Sequence, residues 1–262
     1  MLDLNKVYCG DCLEVMKEID DNSIDLTVTS PPYDNLRDYK GYVFDFENIA
    51  KELYRVTKNG GIVVWVVGDQ TIKGSETGSS FKQAIFFKQI GFNIHDTMIY
   101  EKSCVPYPTK NRYYQTFEYM FIFSNGKPST TNLINDRKNI RSGANVKKKN
   151  AERQRNGVVK QNSAYKNDPK RKIKEYGIRF NIWKYPSSAS TGDKIALKHP
   201  ATFPEDLAKD HIISWSNEKD IILDPMCGSG TTCKMAKLLN RNFIGIEISQ
   251  EYCDIANKRL DF

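Results

Sequence analysis

Hydrophobic and polar positions follow two rhythms along this chain. Short runs rich in β-branched and aromatic residues occur at 24–29 (IDLTVT), 61–67 (GIVVWVV), 94–101 (IHDTMIYE) and 118–123 (EYMFIF), and they predict strands. Between them the apolar residues recur every three or four positions. That spacing predicts helices at 12–19, 45–57 (apolar at 46, 49, 50, 53 and 56) and 79–90. Asn59-Gly60-Gly61 reads as the stop of the second helix. After residue 200 the rhythm resumes: helix 204–214, strand 220–224, helix 230–239, strand 242–248 and helix 249–260. Apolar strands alternating with amphipathic helices predict an α/β fold, a mainly parallel sheet covered on both faces.

Between about 126 and 195 the pattern is lost. GKPSTTN opens the stretch and PSSASTGDK closes it, with few apolar residues between. The chain is therefore expected to divide into a catalytic part at 1–128, a basic insert at 129–195, and 196–262 returning to the first domain. Charge sharpens the division. The net charge is +7, yet Arg137 to Arg179 alone holds fifteen Lys/Arg against three Asp/Glu. A basic run this long, interleaved with Asn, Gln, Ser and Tyr165, suits a polyanionic partner. Lys147, Lys148, Lys149 and Arg153 are its expected nucleic-acid contacts.

The 262 residues suffice to bury a full core. No apolar run nears the length of a membrane span, and MLDLNKVYCGD carries no secretory signal pattern, so a cytoplasmic protein with no membrane partner is expected. Cys9-Gly10-Asp11-Cys12 is a CxxC, but no second pair stands at matching spacing, and only three histidines exist. Reduced thiols are expected, and no metal.

Two motifs carry chemistry. DIILDPMCGSGTT (220–232) is a strand, a tight turn and a helix start. It lacks the GK[ST] of a phosphate-binding loop, and Asp224 would repel a phosphate. Glu247 closes the next strand, where an acid can accept hydrogen bonds from ribose hydroxyls. Carboxylates around a glycine turn suit a cationic nucleoside such as S-adenosylmethionine. The second motif is TSPPY (29–33), a strand running into two prolines. Proline lacks an N–H and fixes its own φ, so the Pro31 carbonyl is held in one direction beside the Ser30 hydroxyl. Two such acceptors can grip the N–H bonds of a nucleobase amine, and Tyr33 offers a ring on which a flipped base stacks.

With both motifs in hand, the chain resembles the amino-methylating DNA methyltransferases that modify N4 of cytosine or N6 of adenine, in their permuted β order. The resemblance covers roughly 5–128 and 196–262; the insert matches only in position and charge. It implies a Rossmann-like methyltransferase fold, a seven-stranded sheet with a reversed hairpin built from 94–101 and 118–123. It implies Ser30, Pro31, Pro32 and Tyr33 as the catalytic motif. Asp224, Gly228, Gly230, Thr231 and Thr232 become the cofactor loop and Glu247 the ribose acceptor. Asp11 and Cys12 stand where the family binds adenine. His199, Pro200 and Phe203, in KHPATFPEDL, complete the cofactor pocket. The implied cofactor is S-adenosylmethionine and the implied partner double-stranded DNA, with restriction–modification as the setting. A partner endonuclease and the choice between monomer and homodimer stay open. Met226 departs from the phenylalanine commoner in this loop. Serine ahead of PPY is more typical of cytosine-N4 members, so N4 of cytosine is the expected target and N6 of adenine the alternative. Release-factor glutamine methyltransferases have NPPY but place the cofactor loop before it. An inactive nucleic-acid-binding protein would have no physical reason to keep Ser30, Asp224 and Glu247 together.

Overall fold

The computed structural model describes residues 2–32, 44–103, 110–145, 151–161, 172–186 and 204–262. Tyr33, Lys147, Lys148, Lys149, His199, Pro200 and Phe203 lie outside these. In chain order the elements are β1 Lys6–Cys9, α1 Cys12–Met16, β2 Ile24–Thr29, α2 Phe46–Val56, β3 Thr57–Val67, β4 Thr71–Ile72, β5 Ser75–Glu76, α3 Ser79–Gln89, β6 Asn93–Lys102, β7 Phe117–Ser124, β8 Arg137–Lys138, β9 Ala151–Arg153, β10 Val159–Gln161, β11 Tyr176–Gly177, β12 Ile182–Tyr185, α4 Glu205–Trp215, β13 Ile221–Asp224, α5 Thr231–Leu238, β14 Asn242–Glu247 and α6 Gln250–Leu260.

The chain forms two compact units, Met1–Asn132 with Asn181–Phe262, and Leu133–Phe180. The first holds an eight-stranded sheet in the order β1-β14-β13-β2-β3-β7-β6-β12. All neighbours run parallel except β7, which is antiparallel to β3 and to β6. The expected reversed hairpin is therefore present. The expected seven strands become eight because β12 pairs along the outer side of β6. It has only four residues and sits among basic and proline-flanked sequence. Its alternation is nonetheless clear once seen: Trp183 and Tyr185 are buried, Ile182 and Lys184 exposed.

The helices cover the two faces. On one side α1, α2 and α3 pack in succession; α4, α5 and α6 form the other series. Ile49, Ala50, Leu53 and Val56 of α2 are buried, as their spacing dictates. They meet Val63, Trp65 and Val67 of β3 and Phe87 of α3 in one core. The indole N–H of Trp65 donates to Gln83 Oε1 at 2.8 Å, which makes burial of that ring tolerable.

One boundary differs from expectation. The Asn59-Gly60-Gly61 stretch does not end α2. Val56 does, with the Thr57 hydroxyl donating to Leu53 O at 2.6 Å, and β3 begins at once. The register against β2 jumps from Ile24↔Thr57 to Leu26↔Ile62, so the glycines sit in a bulge inside the strand. Gly60 has φ 85°, which a bulge accepts from glycine without strain.

The second unit has two short antiparallel ribbons, β8 with β11 and β9 with β10. Among the described residues no helix is long and apolar enough to cross a membrane.

Candidate functional site

Four adjacent parallel strands, β1, β14, β13 and β2, end on the same edge of the sheet. Open α/β sheets bind ligands beyond the carboxyl ends of their strands. The residues that leave those four ends are Gly10-Asp11, Glu247, Asp224 and Ser30-Pro31, nearly the set that the sequence singled out.

The Ser30 corner and the glycine loop, almost 200 positions apart in the chain, are tied directly. The hydroxyl of Thr29, last residue of β2, donates to Asp224 Oδ1 at 2.8 Å. The Thr232 hydroxyl donates to the Val28 carbonyl at 3.1 Å, and the Met226 N–H donates to Asp224 Oδ1 at 3.2 Å. Thr29, Asp224 and Thr232 are all buried, so these bonds are shielded from competing water. Ser30 and Pro32 are half-buried and Pro31 buried.

The loop owes its shape to glycine at two points. Gly228 and Gly230 have φ 51° and 76°, where other residues are strained. A Cβ on Gly230 would lie 2.9 Å from Ala256 Cβ, so α6 also leaves no room there. Glu247 completes the loop from β14. Its Oε2 accepts from Gly228 N at 2.9 Å and its Oε1 from Ser249 N at 2.9 Å. Its backbone carbonyl accepts from Gly10 N at 2.9 Å, which brings the Asp11-Cys12 segment alongside. Asp11 caps α1, accepting from Leu13 N at 2.8 Å, while Cys12 is buried. Met226 packs against the main core as a bulky apolar residue should.

Burial is the largest influence on both acids. It pushes Asp224 up to about 6, against the hydrogen bonds from Thr29 and Met226 and the nearby Thr232 hydroxyl, and the charge of Glu247 adds to the rise. Burial likewise raises Glu247. Among the described residues no lysine or arginine pairs with either carboxylate. Two buried, mutually repelling acids around a glycine turn fit a ligand that brings a positive charge and hydroxyl donors, and they do not fit a phosphate.

This has a measurable consequence. A folded Asp224 that titrates near 6 binds its proton more tightly than the unfolded side chain at 3.8. Its contribution favours folding below that lower value and is lost as pH rises through about 6. Asp224→Asn should therefore gain stability over the parent between pH 4 and pH 7, by up to about 3 kcal/mol. Urea unfolding of both proteins across that range checks it; a difference that does not change with pH would contradict the assignment.

Three residues of the site escaped sequence reasoning. Thr29 looked like the end of a strand and nothing more. Gly10 sat inside a CxxC whose spacing drew attention to its cysteines. Arg259 is the third. Its Nη1 donates to Ser229 O at 2.5 Å, Ser229 Oγ at 3.2 Å and Thr231 Oγ1 at 3.1 Å, and its Nη2 to Glu205 Oε1 at 2.7 Å. It clamps the glycine loop from behind. The one sequence signal was its spacing: Cys253, Ala256 and Arg259 fall on one helical face, and all three are buried. Of the expected site residues, Asp11, Cys12, Asp224, Gly228, Gly230, Thr231, Thr232 and Glu247 gather here with Ser30, Pro31 and Pro32, and Arg153 is an exposed residue of β9 in the second unit.

Comparison with known proteins gives a consistent picture. A family model described as DNA methylase, N6_N4_Mtase, matches residues 24–258. The orphan methyltransferase M.BamHII of Bacillus amyloliquefaciens is 62% identical over 248 residues, covering 94% of this chain and 92% of that protein. Among solved structures, the PvuII DNA methyltransferase (cytosine-N4-specific) superposes with a TM-score of 0.71 at 21% identity, over 97% of this chain and 85% of that one. The M1.HpyAVI-SAM complex superposes with a TM-score of 0.62 at 25% identity, over 98% and 99%.

Proposed function

This chain belongs to the N6/N4 DNA methylase family, and on that premise we propose that it transfers a methyl group from S-adenosylmethionine to N4 of a cytosine flipped out of double-stranded DNA. The observation that carries the reading is the buried Thr29–Asp224 bond, which couples the Ser30-Pro31-Pro32 corner to the glycine loop. Asp224, Gly228, Gly230, Thr231, Thr232 and Glu247 would hold the cofactor, with Asp11 and Cys12 beside them. His199, Pro200 and Phe203 are proposed to close the pocket. Bound S-adenosylmethionine supplies an electrophilic methyl on a sulfonium.

The chain's part is to make a poor nucleophile adequate. The lone pair of an exocyclic amine is delocalised into its ring. Ser30 Oγ and the Pro31 carbonyl accept the two N–H bonds, which favours pyramidal nitrogen and returns density to the lone pair. Pro31 and Pro32 bring no N–H to compete for those acceptors. Tyr33 is proposed to stack on the extruded base. By holding the target amine fixed beside the cofactor loop, these residues would supply much of the remaining rate. The methylated nitrogen is strongly acidic, so no strong base is required. Serine rather than an acid or amide at position 30 favours cytosine. Lys147, Lys148, Lys149 and Arg153 are proposed to bind DNA phosphates, and salt sensitivity of DNA affinity follows.

Incubating the protein with labelled S-adenosylmethionine and mixed-sequence DNA, then digesting to nucleosides, tests all of this. N4-methylcytosine is the expected product. N6-methyladenine would overturn the choice of base, and no methylated nucleoside would overturn the reading.

A further inference from the structure

The β9–β10 ribbon in the second unit has features that folding alone does not require. Arg153 lies opposite Val159 across an antiparallel pair. The strands are joined by a tight loop. Gly157 N donates to Gln154 O at 2.8 Å and Gln154 N to Val158 O at 2.8 Å. Gly157 has φ 80°. This is a type I turn followed by a left-handed glycine, a common way to close a hairpin with three loop residues. Asn156 Oδ1 accepts from Val158 N at 3.1 Å, so Asn156 is committed to shaping the turn. Gln154 and Arg155 are left exposed at the apex.

Three properties of this apex converge. A two-stranded ribbon is, with the α-helix, the element that the major groove of DNA admits. Arginine and glutamine are side chains whose donors and acceptors match guanine and adenine edges two bonds at a time. Beside them Val158 and Val159 are 54% and 57% exposed. Apolar β-branched residues standing in water gain nothing from folding, but they suit contact with thymine methyl groups. Arg153 and Lys160, exposed on the flanking strands, supply charge where phosphates would pass.

Resting on the DNA-methylation reading above, we propose that the β9–β10 hairpin is the base-reading element of this chain. Gln154 and Arg155 read base edges in the major groove, and Arg153 and Lys160 anchor the adjacent phosphates. Sequence specificity is thus set in the second unit by an apex of two side chains.

The test is methylation profiling on a random-sequence DNA library with the parent protein, Gln154→Ala, Arg155→Ala and Arg153→Ala. Thermal shift with S-adenosylmethionine confirms that each variant folds. The parent should yield a defined site. Each apex variant should lose discrimination at its own base pair, the preference there falling about tenfold or more, with the other positions kept. Arg153→Ala should keep the parent site while weakening every sequence alike, with a shallower salt dependence. Where transfer falls below detection, DNA selected by binding gives the same readout. Apex variants that keep the parent site, however much slower, would overturn the inference. A parent that methylates no DNA would instead overturn the reading beneath it.

Discussion

Ser30→Ala is expected to lower methyl transfer by about 100-fold or more, the scale on which one preorganised electrostatic partner of a reacting group counts. Cofactor affinity should stay close to that of the parent. The separation follows from the hydrogen bonding. The link between the corner and the glycine loop runs through the Thr29 hydroxyl and the Val28 carbonyl. Alanine at position 30 leaves both intact, and it leaves the Pro31 carbonyl in position. On the proposed reading, it removes one acceptor for the target amine. Single-turnover rates together with calorimetric S-adenosylmethionine titration check the pair of expectations. Equal loss of rate and affinity would mean that Ser30 supports the cofactor loop rather than the amine.

Arg259→Ala is expected to cost about 2–4 kcal/mol of stability, because it removes a buried guanidinium from a part-buried ion pair and leaves buried acceptors without their charged donor. Glu205 keeps Lys234 at 2.6 Å. The Ser229 carbonyl and the Thr231 hydroxyl lose a charged donor in a buried place. For a protein of this size the unfolding midpoint should fall by roughly 10 °C. Cofactor binding should weaken as well, since the loop residues on either side of Gly230 are those the guanidinium holds. Arg259→Lys should recover only part of the loss, because an ammonium cannot span the same acceptors with a rigid fork. Calorimetric unfolding and titration of the three proteins decide it; a midpoint that stays put in Arg259→Ala would show the clamp to be idle.

Ser30, Pro31, Pro32, Asp224, Gly228, Gly230 and Glu247, which the fold gathers at one sheet edge, stood out in the sequence because they are residue types that are rare in combination. A double proline after a strand and two glycines after an aspartate each restrict the backbone to few geometries. Thr29 and Arg259 were not legible, because a threonine ending a strand and an arginine in a last helical turn are what solvent-facing positions also carry. Only the packing of β2 against β13, and of α6 behind the loop, turns them inward. Boundaries failed for a related reason. The glycine pair before β3 has one local preference, and the bulge that absorbs it is set by the neighbouring strand. Likewise β1 and β12 are four-residue strands whose pairing, more than their composition, makes them strands.

The strand order also governs when the enzyme can exist during synthesis. β14 and β13, made late, insert between β1 and β2, made first. Until β14 has left the ribosome, β1 has no neighbour to pair with, and until Asp224 has emerged the Thr29 hydroxyl has no carboxylate to meet. Contacts of such long sequence separation form slowly, because loop closure must precede any gain from them. Translation that stops early therefore releases a chain with the proline corner and no glycine loop, a product unable to mark the genome at all.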